Sequence, residues 1–507
     1  MIRSLLLVFL TAAATATTVA VADAPHSPPS SSASSELPDL GSPAQAIVSK
    51  DEELQYGAMV AKQLRDQNGL IEDPEVSEYL NSIGTKLAAQ SPDGGRGFQF
   101  FAVKDGEINA FAVTGGYVFV NYGLILATRN ESELAGVMAH EIAHVTQHHI
   151  IRQIHAQSQQ ALTSAAAILA AIILGAIGGG PGGQAIEGGM AAAQGLAAQQ
   201  QINFTRDNEE EADRVGIGYL ISAGYNPSAL ADFFETTSRA QGLSTTYIPA
   251  MLINHPMFPD RIAEARARAA QLAPDVRPHE SQGYELVRER LRVVTADPDT
   301  DITRQFLIRI RNGEDTYSVQ YGYALALMAK GKPEEAEKIL AKLIKEHEGL
   351  TMLYSALGQA QMKAGQKTEA LATLRHAEDL FPRNVPVTVR YAEGLMSAGK
   401  NKDAHMVLLD LFNNVAPTPE QIRLTALAAS AAGDVGDAYY YMGEYQIAGG
   451  ELPLAVQQYQ LALASPNLTK VQRERIQARM NEIREYLATA RLRRTSNEGQ
   501  DSSGNGR

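Results

Sequence analysis

The stretch Leu134-Ala-Gly-Val-Met-Ala-His-Glu-Ile-Ala-His-Val145 decides how this half of the chain folds. Residues four apart lie on one face of a helix, so His140 and His144 can bind one metal ion together. Glu141 lies about 100° further round the helix and can reach a water molecule on that ion. The neighbouring side chains are largely apolar, which argues against two unremarkable histidines on a solvated helix. The stretch therefore predicts a zinc peptidase site.

A zinc peptidase usually has three protein ligands, so one more must come from elsewhere. Three consecutive glutamates follow at 209–211, and helical phase separates them. Glu209 falls on a stripe of small and apolar residues that should face the protein, Glu210 falls in line with Arg214, and Glu211 tracks a third face. We therefore expect Glu209 to be the third ligand. The alternative is an acidic, solvated helix face, on which all three would be alike.

Asp213 lies one turn after Glu209 on the same predicted helix. A carboxylate at this position can accept a hydrogen bond from a ligand histidine and fix its tautomer. A solvated acidic face is the alternative here too. We expect Asp213 to support the site rather than to bind the metal.

A short sheet is predicted immediately before the metal helix, from three segments rich in β-branched and aromatic residues at 98–103, 108–113 and 117–120. It could serve as core, or as an edge to which an extended substrate adds as another strand. Helical patterns precede it at about 52–67 and 74–89. Asn130 and Glu133 have capping-box spacing, so we expect the metal helix to begin there and run through His148 and His149. His148 should be a supporting or surface residue.

The carboxy-terminal half is periodic. Gly331, Gly365 and Gly399 are 34 residues apart, as are Ala336, Ala370 and Ala404, which is the period of the tetratricopeptide repeat. A further unit from Gly443 to Pro466 is out of register with the first three. Stacked repeats of this kind form a concave surface that suits proteins or extended peptides, although they can also serve stability alone.

Composition limits the environment. The formal net charge of −13 and the pI of about 5.4 argue against an extended nucleic-acid surface. Residues 1–22 have the charged start and short apolar run of a signal peptide, with cleavage expected near Ala22. The chain has no cysteine, so disulfides and thiolate ligands are excluded. The apolar segment 161–177 is too short to span a membrane comfortably, and we expect a buried or interfacial helix that could act as a lid or make peripheral membrane contact.

The predicted fold is mostly α: an α+β metallopeptidase domain with a small sheet, followed by an α-solenoid of tetratricopeptide repeats. The expected boundaries are a signal peptide at 1–22, a flexible Ser/Pro-rich lead at 23–50, the peptidase domain at 51–270, connecting helices at 271–310, the repeats at 311–488 and a disordered tail at 489–507.

Three separated motifs together resemble peptidase family M48: His140 to His144, Glu209 to Asp213, and Asn109 to Asn121. The resemblance implies a gluzincin with one Zn²⁺ per chain, completed by the glutamate of the second motif. The His-Pro element at His255 resembles that of the family's exported branch. It implies that His255 is a fourth ligand in the position of the water, against the alternative of a capping or packing histidine. Arg261 could stabilise an oxyanion or form a structural ion pair.

The sequence therefore predicts an exported zinc endopeptidase in which Glu141 transfers the proton. The resemblance further implies a periplasmic role on misfolded or assembling outer-membrane β-barrel proteins, with chaperone-like activity and contact with the barrel-assembly machinery. Two alternatives remain open: a chaperone or binding module with a permanently latent metal site, and a general scavenger protease of unfolded exported proteins.

Overall fold

A computed structural model describes residues 48–158, 206–243, 249–256, 259–272 and 281–504. Over these ranges the protein is mostly helical with one small sheet, which confirms the predicted fold class. The signal peptide, nearly all of the Ser/Pro-rich lead and the apolar segment 161–177 lie outside the described residues. No helix among the described residues is long and apolar enough to cross a membrane.

The sheet has three strands, preceded by two helices, all close to the predicted positions. Strand β3 (Tyr117–Asn121) lies in the middle, with β1 (Gln99–Val103) parallel to it on one side and β2 (Ala110–Val113) antiparallel on the other. Strand β2 is therefore an edge strand. The bounds are α1 Lys50–Asp66, α2 Pro74–Ala88, β1 Gln99–Val103, β2 Ala110–Val113 and β3 Tyr117–Asn121.

Helix α3 (Tyr122–Ala127) leads into the metal helix α4 (Glu131–Thr146). The Asn130 side chain caps α4 by accepting the Glu133 N–H at 2.9 Å. In a capping box the Glu133 carboxylate would accept the N–H of Asn130. Here it accepts the N–H of Arg129 instead, at 2.7 Å. The start of the helix was thus predicted correctly, and its second capping contact was not.

The predicted end of the metal helix was wrong. Helix α4 stops at Thr146, and His148 adopts a left-handed backbone with φ of 53° before α5 (His149–Ser158) begins. No glycine or proline marks this break, so local sequence gave no signal for it. The turn redirects the chain, and it brings His149 back towards the metal helix.

The described residues include four further helices in this part of the molecule, and the first of them, α6 (Arg206–Ser222), makes the closest approach to α4. A Cβ atom built on Gly216 of α6 would lie 3.2 Å from the backbone of Ala139 and His140, so the two helices touch without an intervening side chain. This contact fixes the distance from His140 to the acidic residues of α6. The bounds are α6 Arg206–Ser222, α7 Ala229–Leu243, α8 Ala250–Asn254 and α9 Pro259–Leu272.

Helices α10 (Gln282–Val294) and α11 (Ile302–Arg311) connect to the repeats. In the first three repeats, the three glycines spaced by 34 residues have φ of 77°, 79° and 77°, and the three alanines are fully buried. The bounds of these six helices are α12 Tyr317–Ala329, α13 Pro333–Glu346, α14 Thr351–Lys363, α15 Lys367–Leu380, α16 Val385–Ser397 and α17 Asn401–Phe412.

Helix α18 (Pro419–Ala432) keeps the period, because Gly433 lies 34 residues after Gly399 and has φ of 84°. The last unit is out of register because its glycine with positive φ, Gly450, follows Gly433 after only 17 residues. Helix α18 is followed by α19 (Val435–Ala448) and α20 (Leu452–Ala464), which pack on each other, and by the long helix α21 (Lys470–Gly504). The tail from 489 onward, for which polar composition predicted disorder, continues α21 to Gly504. This helix is anchored by its first half, where Ile476, Met480 and Ile483 are buried on one face.

Buried arginines join the repeats to the peptidase part at the start of α2. Arg290 of α10 donates to both carboxylate oxygens of Asp73 at 2.6 and 2.7 Å. Arg390 of α16 donates to both oxygens of the fully buried Glu75 at 3.1 and 2.6 Å. Burial alone would raise the pKa of Asp73, but Arg290 lowers it well below its usual range. Helix α2 also packs directly on α4, and the core around the metal helix extends through α2 to α10.

Gly216→Ala tests the close helix contact, with Gly218→Ala as the matched control. Gly218 lies two residues away on α6, and a Cβ there would meet nothing within 4 Å. We expect Gly218→Ala to stabilise the protein by about 0.5–1 kcal/mol, as Ala generally does in a helix interior. Gly216→Ala should lack that gain and should weaken metal binding, because α6 must move away from His140. Equal rises in unfolding temperature with unchanged metal affinity would contradict the contact.

Candidate metal centre

Four buried side chains converge between α4, α6 and the end of α8. His140 and His144 are one turn apart on α4, and their Nε2 atoms are 3.0 Å apart. Glu209 of α6 places its carboxylate oxygens 3.5 Å from each of these nitrogens. His255, which follows α8, places Nδ1 3.3 Å from His140 Nε2 and 3.1 Å from Glu209 Oε1. The structure thus brings together the two histidines of the motif, the glutamate chosen by helical phase and the histidine of the His-Pro element.

Asp213 and Arg261 support this cluster from behind. Asp213 Oδ1 lies 2.9 Å from His140 Nδ1, so the carboxylate can hold that nitrogen protonated and leave Nε2 free to bind a metal. Arg261, which is 1 % exposed, donates to both Asp213 oxygens at 2.8 and 2.9 Å. Its third nitrogen, Nη1, lies 2.8 Å from Glu209 Oε2. Arg261 therefore forms the structural ion pair rather than facing the cleft as an oxyanion donor.

A second chain of contacts supports His144, and sequence reasoning missed it. His149 is fully buried, and its Nδ1 lies 3.0 Å from His144 Nδ1. Its other nitrogen lies 3.1 Å from Glu211 Oε2, which also accepts from Arg152 at 2.9 Å. Burial lowers the pKa of His149, which favours the neutral imidazole that such a relay requires. This role of His149 was missed because the metal helix was expected to run straight through that residue.

The three consecutive glutamates of α6 have three different roles, as their helical phase indicated. Glu209 is buried in the cluster, Glu210 pairs with Arg206 on the surface, and Glu211 belongs to the relay behind His144. Burial would raise the pKa of Glu209, but the facing histidines lower it well below its usual range. Burial would likewise raise the pKa of Asp213, but the hydrogen bonds with His140 and Arg261 lower it. Both carboxylates are therefore ionised.

Glu141 is placed between the sheet and the cluster. Its Oε2 accepts the backbone N–H of Ala112, in the edge strand β2, at 3.0 Å. Its Oε1 is buried and lies 3.4 Å from His255 Nε2. Burial raises the pKa of Glu141, as suits a carboxylate that must take up and release a proton near neutral pH. The single contact with Ala112 ties the position of this group to the strand edge.

The segment that carries His255 lies against the same edge. The N–H of Met251 in α8 donates to the carbonyl of Ile108, just before β2, at 3.3 Å. On the other side, the carbonyl of Pro256 accepts from Arg261 at 2.9 Å. His255 is held between these two anchors, with Nδ1 towards the cluster and Nε2 towards Glu141.

The donor set fits a divalent cation of the zinc class. One ligand atom from each of the four residues lies within 4.8 Å of the others, and imidazole and carboxylate are ligands that zinc accepts. Burial lowers the pKa of His140, but Asp213 and Glu209 outweigh it and raise the pKa to about 10. Burial and the charge of His140 lower the pKa of His144. These shifts favour a protonated His140 and a neutral His144, and a cation bound at His140 Nε2 would displace the proton there.

Comparisons with known proteins agree with this geometry. Residues 74–269 match the model of peptidase family M48, and residues 318–349 match a tetratricopeptide repeat. The sequence is 31% identical over 452 residues to the beta-barrel assembly-enhancing protease of Escherichia coli, covering 89% of this chain and 91% of that protein. It is 33% identical to a Vibrio cholerae relative for which the same name is provisional, covering 88% and 92% of the two chains.

His149→Ala tests the relay behind His144. Removing the imidazole leaves His144 Nδ1 facing a cavity, and loss of such an outer partner typically weakens metal binding about 10–100-fold. We expect that loss in competition with a chelator of known affinity. His148→Asn is the control, because it alters the neighbouring histidine, and asparagine tolerates the positive φ at that position. Equal affinities for the two variants would exclude a role for His149 in holding His144.

Proposed function

The chain belongs to peptidase family M48 and is a metalloprotease, and we propose that it is a periplasmic zinc endopeptidase acting in the assembly and quality control of outer-membrane β-barrel proteins. The cluster of His140, His144 and Glu209 beside Glu141 carries the catalytic part of this proposal. The similarity to beta-barrel assembly-enhancing proteases over about nine-tenths of both chains supports the location and the substrate class. Chaperone-like activity belongs to the same proposal and would use the repeats.

His140, His144 and Glu209 would hold the metal, which when bound lowers the pKa of a water molecule and polarises the scissile carbonyl. Glu141 takes a proton from the attacking water as the water oxygen bonds to the carbonyl carbon. It then delivers that proton to the nitrogen as the peptide bond breaks, so the amine leaves neutral. Asp213 and His149 keep the two histidine rings oriented throughout. The Ala112 N–H holds one oxygen of Glu141, so the other is the one that exchanges the proton.

An extended substrate would add to the edge of β2. A strand paired there receives main-chain hydrogen bonds, which do not depend on sequence and which suit unfolded chains of varied composition. The edge is close to the chemistry because Ala112 contacts Glu141 directly. Unpaired β-strands of a misassembled barrel protein are segments that could add in this way.

Four protein donors around one ion form a closed site of the structural kind, without the open position that catalysis needs. His255 is the removable donor, because it comes from a short segment outside the two core helices. Its Nε2 also lies 3.4 Å from Glu141 Oε1, so His255 contacts the proposed general base while it is in place. We therefore propose that the centre is latent while His255 is in place and becomes active when it leaves.

Three proteins separate an active peptidase from a permanently latent site: wild type, Glu141→Gln and His255→Ala. Glu141→Gln should lower the rate of cleavage of an unfolded barrel protein by about 10²–10⁴-fold, because the proton carrier is lost. His255→Ala should raise it above that of the wild type. Zinc content is measured in parallel, and it should stay near one equivalent at this centre in both variants. An inert His255→Ala protein that retains its zinc would favour the chaperone alternative.

The repeats would recruit substrates to a cleft beside the peptidase part. A cavity of about 450 Å³ lies between α2, β1 and the repeat helices α16 and α18. A second cavity, of about 830 Å³, continues along α2 and β1 to the start of α18. Both combine aromatic side chains, such as Phe100 and Phe101, with polar groups, a lining suited to an extended peptide.

Leu427→Glu tests recruitment through this cleft. Leu427 lines the smaller cavity and is 46% exposed, so a charge there should disturb binding without unfolding the protein. Leu461→Glu is the matched control, because this leucine of α20 is 47% exposed. We expect Leu427→Glu to slow cleavage of an unfolded barrel protein several-fold relative to the control while a short peptide is cut at the same rate.

A general scavenger would behave differently from a barrel-specific protease. Soluble unfolded periplasmic proteins should be cut more slowly than barrel proteins if the proposal is correct. Equal rates for the two classes, with no effect of Leu427→Glu on either, would support the scavenger alternative instead.

A further inference from the structure

A second cluster of metal-ligand side chains lies in the repeats, away from the peptidase centre. His405 is on α17, Asp434 caps the start of α19, and Asp437 is in the first turn of α19. One ligand atom from each lies within 4.8 Å of the other two. His405 and Asp437 are both buried.

The imidazole of His405 is the feature that points to a ligand. Its side chain is 8% exposed, and its Nε2 atom is buried without a hydrogen-bond partner in the part of the chain that the structure describes. Nε2 faces Asp437 Oδ2 at 3.6 Å, which is too long for a hydrogen bond. Two ligands bonded to one zinc ion at roughly 2.0–2.2 Å with tetrahedral angles are separated by about 3.3–3.5 Å. The separation therefore fits two ligands of a shared ion better than a hydrogen bond.

The peptidase centre provides an internal comparison. There, His140 and His144 each lie 3.5 Å from an oxygen of Glu209. The nitrogen-to-oxygen distance at His405 and Asp437 is nearly the same.

The surrounding contacts leave Asp437 Oδ2 available on the side of His405, while both oxygens of Asp434 already accept hydrogen bonds. The Gln472 side-chain amide donates to both oxygens of Asp434, at 3.3 and 3.0 Å, and to Asp437 Oδ1 at 3.0 Å. Arg475 donates to Asp437 Oδ1 at 2.5 Å. These donors hold the carboxylates in place and leave Asp437 Oδ2 turned towards His405. With a neutral histidine, two carboxylates and one guanidinium, the local charge is −1, which favours binding of a cation.

The repeat pattern does not require a histidine at this position. One repeat earlier the equivalent residue is Leu371, and two repeats earlier it is Glu337. Both are only partly buried, whereas His405 is buried. The position follows Ala404, the small residue on which the repeats do depend. Packing of the solenoid thus explains the alanine and leaves the histidine unexplained.

We propose that His405, Asp434 and Asp437 form a second divalent-cation site of the zinc class, which fastens α17 to α19 across helix α18. An imidazole with two carboxylates suits zinc better than magnesium or calcium, which prefer all-oxygen sites. Three protein ligands leave room for a water, and the site has no role in peptide cleavage. The ion would hold the repeat helices α17 and α19 together.

Metal content of the full chain tests this directly. Wild type should hold about two zinc ions per chain, His405→Leu about one, and His140→Ala/His144→Ala about one, because each change empties a different site. Leucine is the residue that the preceding repeat has at this position, so it should not disturb the helix. His376→Leu, which removes an exposed histidine of α15, is the control for adventitious surface binding and should leave the content unchanged.

Further readouts keep the test independent of the proposed peptidase function. Adding zinc to metal-free His140→Ala/His144→Ala protein should raise its unfolding temperature, and the rise should disappear when His405→Leu or Asp437→Asn is added. His405→Leu should still cleave a short peptide at the wild-type rate. The proposal is overturned if wild type and His405→Leu hold equal zinc, or if the His140→Ala/His144→Ala protein holds none while folded. Loss of peptidase activity in Glu141→Gln bears only on the first site.

Discussion

The backbone contact between α4 and α6 is the constraint on which the metal centre depends. A histidine pair on one helix and a carboxylate on another can share an ion only if the helices approach closely. Gly216 permits that approach by placing no side chain against Ala139 and His140. The same contact sets the register of α6, so Glu209 and Asp213, one turn apart, face the two nitrogens of one imidazole. A larger residue at 216 would move both carboxylates together.

Burying two ionised carboxylates has a large desolvation cost, which the surrounding charges offset. Arg261 supplies one positive charge to Asp213 and Glu209 together, and it is itself anchored to the Pro256 carbonyl. The arginine therefore belongs to the site without facing the substrate. It also links the donor set to the segment that carries His255, so the core of the centre and its removable part share one anchor.

The sequence predicted the features that depend on period. The histidine pair, the inward position of Glu209, the strands and the 34-residue repeats all follow from residues recurring at fixed spacing, and the structure has them. Features set by tertiary contact were missed. The break at His148 carries no glycine or proline, and the value of His149 appears only once the chain has turned back on α4. Glu133 likewise accepts the N–H of Arg129 rather than that of Asn130, and residue spacing alone does not decide between these two partners.

The position of His255 links access to the centre with binding of substrate. Its segment is attached to the sheet through the Ile108 carbonyl, which accepts the Met251 N–H at the edge leading into β2. A strand adding to that edge would compete for the same carbonyl and loosen α8. The loss of one hydrogen bond is a modest change, worth about 1 kcal/mol, and it acts on a segment of only five helical residues. Because His255 contacts both the donor set and Glu141, its departure would free a coordination position on the ion and release Glu141 at the same time. Edge pairing by substrate would therefore favour the departure of His255, with the rest of the free energy coming from the other main-chain hydrogen bonds of the added strand.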